Sequence, residues 1–172
     1  MRTPTDNKPG DRTGTAPVTH RIFFLLLPRI HLLDLAGPAQ VFYEAHDLGG
    51  SYHVHFCATT GEIASAQGLT FARLEPLPGR TGPGDLIIVP GMDSKHLGEE
   101  DHAPLSWLRS VSASGAEIAS ICSGAFVLAR AGLLDGRRCA THWKVTDRLE
   151  SEHPRALVLR NRLFVRDGSI LT

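Results

Sequence analysis

Residues 116–136 read AEIASICSGAFVLARAGLLDG, and this stretch decides the predicted fold. Residues 117–121 are apolar enough to form a buried strand of a parallel sheet. At Cys122 the pattern changes without an intervening loop, and residues 124–129 then predict a small apolar helix that ends near Gly132. A strand that runs straight into a helix needs small residues at the corner, which here are Ser120, Ser123, Gly124 and Ala125.

This corner has the pattern of a nucleophile elbow, with Ser-x-Cys-x-Gly where hydrolases have Gly-x-Ser-x-Gly. Such a turn lifts the Cys122 side chain out of the sheet and sets it at the N-terminus of the next helix. Unpaired backbone N–H groups and the helix dipole favour a thiolate there. The alternative is that Cys122 is a small buried hydrophobe, as free cysteines usually are. Strand, corner and helix together favour the functional interpretation, so Cys122 is the main candidate for a reactive residue.

Composition limits the classes of protein to which the chain can belong. The 172 residues predict one domain, and equal numbers of acidic and basic residues (18 each) show no basic footprint for nucleic acid. Three widely separated cysteines without a C-x-x-C pair suggest neither a disulfide framework nor a zinc knuckle. The apolar run 22–27 is too short for a signal peptide or a membrane span. We therefore expect a cytoplasmic protein without a membrane segment, and we assign it no cofactor and no metal.

The rest of the chain predicts an α/β fold around that elbow. Residues 1–18 are polar and lack apolar periodicity, so we expect a disordered leader before a domain over residues 19–172. The Gly37-Pro38 pair predicts the start of a helix that presents Val41, Phe42 and Ala45 inward. Residues 64–74 predict a short hairpin or excursion. Further strands are predicted at 21–27, 52–58, 85–89, 138–141, 156–159 and 163–166, and further helices at 103–113 and 144–152. The last two strands are predicted to form a surface hairpin around Arg160-Asn161-Arg162. This order predicts a doubly wound layer with a mostly parallel sheet.

In open α/β sheets, ligands bind outside the carboxyl ends of the strands. Asp34, Gly91-Met92, Cys122-Ser123 and Thr141-His142 are all expected there. Asp34 lies in an apolar setting (LLDLAG), where its pKa should be raised unless it is hydrogen-bonded, and this suits a proton carrier that faces a thiol. An alternative of nearly equal weight is that Asp34 caps a helix beginning at Gly37.

Two further roles follow from the same positions. The backbone N–H groups of Met92 and Ser123 are candidates for an oxyanion hole. His142 is a candidate general base for Cys122, although histidines at strand ends more often pack or orient a ligand. His53 and His55 have a spacing that can hold zinc, but no third ligand is evident nearby, so a solvated strand face is the better interpretation.

Four phrases of the sequence resemble the DJ-1/PfpI superfamily, the class I glutamine-amidotransferase-like fold. They are LLDLAGPAQVF, DLIIVPG, SICSGAFVLARAGLLDGRRCATHW and LFVRDGSILT, and they cover nearly the whole chain after Val18 in the right order. The resemblance implies a flavodoxin-like, doubly wound sheet. It is nearest to the sensor domains that precede a helix-turn-helix in AraC-type regulators, and to isonitrile hydratases. Carried over from the hydratases, the reactive roles fall on Asp34 and Cys122, with Ser123 where the hydratase has threonine.

The departures from the family pattern narrow the function. PfpI-type peptidases have a histidine directly after the cysteine, where this chain has Ser123. DJ-1-like glyoxalases use a glutamate in the first segment, where this chain has the shorter Asp34. True amidotransferases need a downstream His-x-Glu pair, which this sequence lacks. The resemblance also implies a closing helix after RDGSILT, so we expect a domain that lacks this helix and is truncated at its C-terminus.

Three functions are compatible with these features. The first is a ligand-sensing domain of an AraC-type regulator, which binds a small molecule near Cys122 and contacts DNA only through a C-terminal module absent from this chain. The second is a cysteine-dependent isonitrile hydratase-like lyase that uses Cys122 and Asp34. The third is a redox or carbonyl-stress protein in which Cys122 is oxidised to a sulfinate. We expect a homodimer in each case, and the sequence leaves open whether the chain is an enzyme.

Overall fold

A computed structural model describes residues 19–98 and 102–172, so the leader expected over residues 1–18 lies outside the described residues. The helices in the described ranges are α1 (Leu32–Asp47), α2 (His102–Ala113), α3 (Ala125–Arg130) and α4 (Thr146–Glu152). The strands there are β1 (His20–Leu25), β2 (Tyr52–Ala58), β3 (Glu62–Ala64), β4 (Thr70–Ala72), β5 (Glu75–Pro76), β6 (Leu86–Val89), β7 (Glu117–Ser120), β8 (Arg138–Cys139), β9 (Leu157–Val158), β10 (Arg166–Asp167) and β11 (Ile170–Leu171). Short 3₁₀ turns occur at Ser94–His96, Cys122–Gly124 and Trp143–Val145.

The main sheet has seven strands in the order β10-β11-β7-β6-β1-β2-β5. Every pair in it is parallel except the antiparallel pair β10–β11 at one edge. The predicted α/β fold with a mostly parallel sheet is therefore confirmed. Parallel strands need long crossovers, and the crossovers into β2, β7 and β11 contain helices.

The core lies where the apolar runs of the sequence meet. Strand β1 and the residues after it are buried from Ile22 to Leu27, as expected of a central strand covered on both faces. The same core takes in Ile87–Val89 of β6 and Ile118 of β7, together with the whole of α3 up to Ala129. None of the helices in the described ranges is both long and apolar enough to cross a lipid bilayer.

The prediction that α1 begins at Gly37-Pro38 was wrong. The helix begins at Leu32, and Pro38 lies inside it. The Leu32 N–H donates to Oε1 of Gln67 in the β3–β4 hairpin (3.2 Å), so the helix start is fixed by a residue 35 positions away. Asp34 is the third residue of this helix and does not cap it, and the extended N-cap residue His31 makes no capping side-chain bond. Of the residues expected to face inward, Phe42 packs against the core while Val41 is exposed.

The β3–β4 hairpin confirms the excursion predicted near residues 64–74, but the predicted C-terminal pairing was wrong. Strands at 156–159 and 163–166 were expected to form a hairpin. Instead β9 pairs with β8 in parallel, while β10 pairs with β11 through a turn at Gly168 (φ +61°). Gly168 adopts the left-handed conformation that this turn needs. The hairpin is therefore formed around Gly168, later in the chain than predicted. The expectation that the domain lacks a closing helix stays a prediction.

Candidate functional site

Cys122 lies at a strained corner between β7 and α3. Its φ of +55° is in the left-handed region, which a residue with a side chain rarely adopts. The strand holds this corner from one side, since the Ile121 N–H donates to the carbonyl of Val89 (3.0 Å). From the other side, a Cβ at Gly124 would overlap that same Val89 carbonyl, so only glycine fits there. The predicted elbow geometry is therefore present, with strain at the residue predicted to be reactive.

Ser123 joins the elbow to the loop after β6. Its hydroxyl accepts a hydrogen bond from the Met92 N–H (2.9 Å) and donates one to the Met92 carbonyl (2.8 Å), and all of these atoms are buried. The Met92 amide is thus already paired within the protein. The oxyanion role predicted for Met92 needs an N–H that points at the ligand, and this conformation does not provide it. The Ser123 N–H is directed at the Cys122 sulfur, whose charged form it stabilises.

Gly91 is the point where three parts of the site approach each other. Its carbonyl accepts a hydrogen bond from the His31 N–H (2.8 Å), next to the bridge between Ile30 and Met92. A Cβ at Gly91 would overlap Asp34 Oδ2 and would lie 3.0 Å from both the Cβ of Cys122 and the hydroxyl of Ser123. Gly91 therefore serves the site by being small, which lets the carboxylate approach the elbow.

Asp34 is brought to Cys122 by the first turn of α1. Its Oδ2 is buried and has no hydrogen-bond partner in the described ranges. The imidazole of His31 lies beside it, with Nδ1 3.8 Å from that oxygen. The sulfur of Cys122 is within 4.8 Å of ligand atoms of both residues. The structure thus brings together the Asp34–Cys122 pair that the sequence predicted and adds a histidine that it missed.

The electrostatics of Cys122 differ from the sequence-based expectation. Burial raises the pKa of the thiol above its ordinary value, and the Asp34 carboxylate raises this pKa further by disfavouring a second negative charge. The Ser123 N–H acts in the opposite direction but does not outweigh them. The direction of this shift is opposite to the expectation that the elbow favours a thiolate, because the α3 helix is short and its charge effect competes with desolvation and a close carboxylate.

His142 lies at the edge of the site, but its hydrogen bonds argue against the general-base role. Its Nδ1 accepts a hydrogen bond from the Lys144 N–H (3.2 Å). A neutral imidazole with Nδ1 as acceptor carries its proton on Nε2, which then donates and cannot take a proton from Cys122. Its ring stacks on Trp143 with ring centroids 5.6 Å apart. This arrangement fits the alternative given above, in which His142 packs or orients a ligand.

An open cleft of about 700 Å³ lies over Cys122. Its floor is formed by Cys122 with Ala140 and Thr141, and Thr141 Oγ1 donates to the Cys122 carbonyl (3.0 Å). The remaining lining residues, here called the rim, include both apolar and polar groups: His142, Trp143, Thr146, Leu159, Arg160, Asn161, Arg162, Leu163 and Thr172. Cys122 therefore belongs both to this cleft and to the cluster with Asp34 and His31. A volume of this size accommodates a small metabolite.

Sequence reasoning missed His31, Thr141 as a partner of Cys122, and the rim residues Trp143 and Arg160. His31 carried a readable signal, since it lies three residues before Asp34 and so one helical turn away once the helix is known to start at Leu32. The rim residues had no such signal in the sequence. Arg160 reaches the cleft from an irregular segment, where the sequence predicts a surface hairpin.

Comparison with known proteins agrees with this geometry. The DJ-1/PfpI family model matches residues 20–172. The chain is 34% identical over 156 residues to the isonitrile hydratase of Pseudomonas putida, covering 88% of this chain and 64% of the hydratase. It is 32% identical over 157 residues to the HTH-type transcriptional regulator CdhR of Pseudomonas aeruginosa, covering 87% of this chain and 44% of the regulator. The chain thus spans less than two thirds of either relative.

A solved structure of an AraC family transcriptional regulator from Pseudomonas putida superposes with a TM-score of 0.76 at 23% sequence identity. The superposition covers 88% of this chain and 82% of that one. At this level of identity the similarity supports the fold alone.

Proposed function

The chain belongs to the DJ-1/PfpI family, and on that premise we propose that it is the small-molecule-sensing domain of an AraC-type transcriptional regulator. The ligand would bind in the cleft over Cys122. Similarity to the HTH-type regulators CdhR, GbdR and GlxA extends over 87–88% of this chain and supports the proposal. DNA contacts would be made by a separate helix-turn-helix module of the regulator.

The observation that carries this proposal is the closed hydrogen-bond pair between Ser123 and Met92. An enzyme that stabilises a developing negative charge presents a free N–H to it, and loss of one such donor costs about 10²–10³ in rate. Here the Met92 N–H is paired, the Cys122 pKa is raised, and His142 Nδ1 is occupied. These features favour binding over turnover.

The rim of the cleft indicates the kind of ligand that fits. Trp143 presents an aromatic face that is 75% exposed, and Leu163 provides further apolar surface. The Arg160 guanidinium already pairs with Asp147 and Glu150, so its charge is balanced within the protein. A small ligand with an apolar part against Trp143 and a polar part near Asn161 would satisfy both surfaces, and a nitrogenous metabolite meets this description.

Intrinsic fluorescence tests the binding site directly, because the two tryptophans have different surroundings. Trp143 is exposed in the cleft, whereas the Trp107 indole donates to the Pro78 carbonyl (2.9 Å) outside it. In a titration with a panel of amino acids, amines and small carboxylates, we expect saturable quenching by at least one compound. The Trp143→Phe variant should lose this response. Quenching that survives in Trp143→Phe, or no saturable response to any compound, would contradict a sensor site in this cleft.

The adjacency of Asp34 and Cys122 favours a second candidate, an isonitrile hydratase-like activity. The Cys122 thiol would add to the terminal carbon of an isonitrile, and its proton would reach that carbon through Asp34 to give a thioimidate. Water then adds to the thioimidate carbon, and the C–S bond breaks to regenerate the thiol and release an N-substituted formamide. The buried, unpaired Oδ2 of Asp34 suits such a proton carrier.

The remaining expectations concern assembly and location. A homodimer stays a prediction, which analytical ultracentrifugation of the purified chain checks by its molar mass. The cytoplasmic location is likewise proposed from the relation to transcriptional regulators.

A further inference from the structure

Three side chains at the buried edge of the site form a cluster that neither sensing nor hydration requires in full. They are His31, Asp34 and Cys122, and one potential ligand atom from each lies within 4.8 Å of the other two. His31 and Asp34 come from the start of α1, while Cys122 comes from the elbow. All three are partly buried, so the cluster is neither a solvated surface nor a closed core.

This donor set is one that zinc binds in proteins. An imidazole nitrogen, a carboxylate oxygen and a thiolate are all ordinary zinc ligands, with bonds of roughly 2.0–2.3 Å. Around a tetrahedral ion of that size, ligand atoms lie roughly 3.3–3.8 Å apart. The 3.8 Å between His31 Nδ1 and Asp34 Oδ2 is about 0.5 Å wider than a tetrahedral ion needs, and the sulfur, within 4.8 Å of both, would approach them by roughly 1 Å.

We propose that His31, Asp34 and Cys122 form a binding site for a single Zn²⁺ ion, with its fourth coordination position open to the cleft that Cys122 lines. The Asp34 Oδ2 provides the strongest argument, because it is buried without a partner in the described ranges and a cation would satisfy it. Gly91 leaves the space in which this oxygen lies. Zinc displaces the Cys122 thiol proton to solvent, and the ion replaces the repulsion between thiolate and carboxylate by attraction to both.

The other two cysteines do not compete for the ion. Cys57 and Cys139 are buried, and burial raises the pKa of each thiol, to about 12 and about 11 respectively. The site depends on none of the cleft's rim residues, so it is compatible with the proposed sensor cleft. A bound ion would occupy the Cys122 thiol and Asp34, which the hydratase candidate needs free.

Cobalt provides the test, since Co²⁺ replaces zinc and gives a thiolate-to-cobalt charge-transfer band in the near ultraviolet. The reduced, metal-free chain is titrated with Co²⁺, and the band is then displaced with Zn²⁺. His31→Ala is the decisive variant because the His31 side chain makes no capping bond, so its loss leaves the start of α1 intact. His142→Ala is the matched control, since His142 is the histidine that lines the cleft but lies outside the cluster.

We expect a saturable band at one equivalent in the unmodified chain, no band in Cys122→Ser, and at least about tenfold weaker binding in His31→Ala and Asp34→Asn. His142→Ala should bind within about twofold of the unmodified chain. Circular dichroism confirms that each variant is folded. Absence of the band in the unmodified chain, or full affinity in a folded His31→Ala, would overturn the proposal, the second result showing an adventitious thiol contact only. Neither result bears on the Trp143 fluorescence response, which tests the sensor function separately.

Discussion

The two halves of the site are built in opposite ways. The Cys122 half is a corner whose helix, α3, is buried from Ala125 to Ala129. The Asp34 half is the start of α1, a 16-residue helix in which only Leu35 is buried. The elbow is therefore held by the buried helix α3 and by contacts with the end of β6 at Val89. The position of Asp34 depends instead on distant contacts, the Gln67 side chain and the space at Gly91.

This difference has a consequence for function. The left-handed φ of Cys122 is strained, and it persists only because the residues packed around it are rigid. The buried helix α3 provides this rigid packing. Asp34 and His31 lie on an element with little buried surface, so replacements on α1 should change the chemistry of the site at a small cost in stability. Replacements in the buried helix α3 should instead cost mainly stability.

The largest expected difference is in core packing. Leu128 of α3 is fully buried, so Leu128→Ala should lower the free energy of unfolding by about 2–5 kcal/mol through lost burial and the cavity left behind. Leu33 of α1 is 79% exposed, and Leu33→Ala should stay within about 0.5 kcal/mol of the unmodified chain. Urea unfolding of the two variants measures both values. Equal losses would remove the contrast between the helices.

Replacing a glycine by alanine should change the free energy of unfolding by a smaller amount, with a loss at the elbow and a gain in α1. A Cβ at Gly124 meets the Val89 carbonyl and lies 3.0 Å from the Pro90 carbonyl oxygen, so Gly124→Ala should destabilise the chain by about 1–3 kcal/mol. A Cβ at Gly37 inside α1 meets nothing within 4 Å. Gly37→Ala should therefore stabilise the chain by about 0.5–1 kcal/mol, because alanine favours a helix interior. Thermal unfolding compares them, and a destabilised Gly37→Ala would show that α1 is more tightly packed than described.

The smallest expected change is a shift in the reactivity of one thiol. Asp34 raises the pKa of Cys122, so Asp34→Asn should lower that pKa, increase the thiolate fraction at neutral pH and speed alkylation. In the unmodified chain, Cys122 should still react before the buried Cys57 and Cys139. Limiting iodoacetamide followed by mass mapping across pH measures both effects. A slower Asp34→Asn variant, or preferential labelling of Cys57, would contradict the described geometry.

The elbow was predictable because its sequence signal is local, although contacts with Val89 also hold the corner. A short apolar run, four small residues and an apolar helix sufficed to predict the corner, and the resemblance to the DJ-1/PfpI family extended this to the whole sheet. The start of α1 was predicted too late because proline is frequent at the first position of helices, and Pro38 was taken for that position. No comparably strong start signal precedes it in the sequence. The true start depends on Gln67, a side chain from a hairpin that pattern alone does not bring near.

The chemistry of the site was predicted less well than its position. That Asp34 and Cys122 lie together followed from the topology of the strands, since their carboxyl ends meet at one edge of the sheet. The pairing of Ser123 with Met92 depends on a side-chain rotamer, and the raised pKa of Cys122 depends on burial. Neither a side-chain rotamer nor the burial of one residue can be predicted from the pattern of residue types alone. The structure thus changed the interpretation from a thiol activated by the helix to a thiol whose pKa is raised by burial and by Asp34.

Product formation from cyclohexyl isocyanide is the measurement that tests this interpretation most directly. The purified chain is incubated with the isocyanide, and N-cyclohexylformamide is quantified by chromatography beside the Cys122→Ala and Asp34→Asn variants. The sensor account predicts no formamide above the Cys122→Ala background over many equivalents of substrate. Sustained formamide production by the unmodified chain, lost in both folded variants, would contradict it and identify the chain as a hydratase.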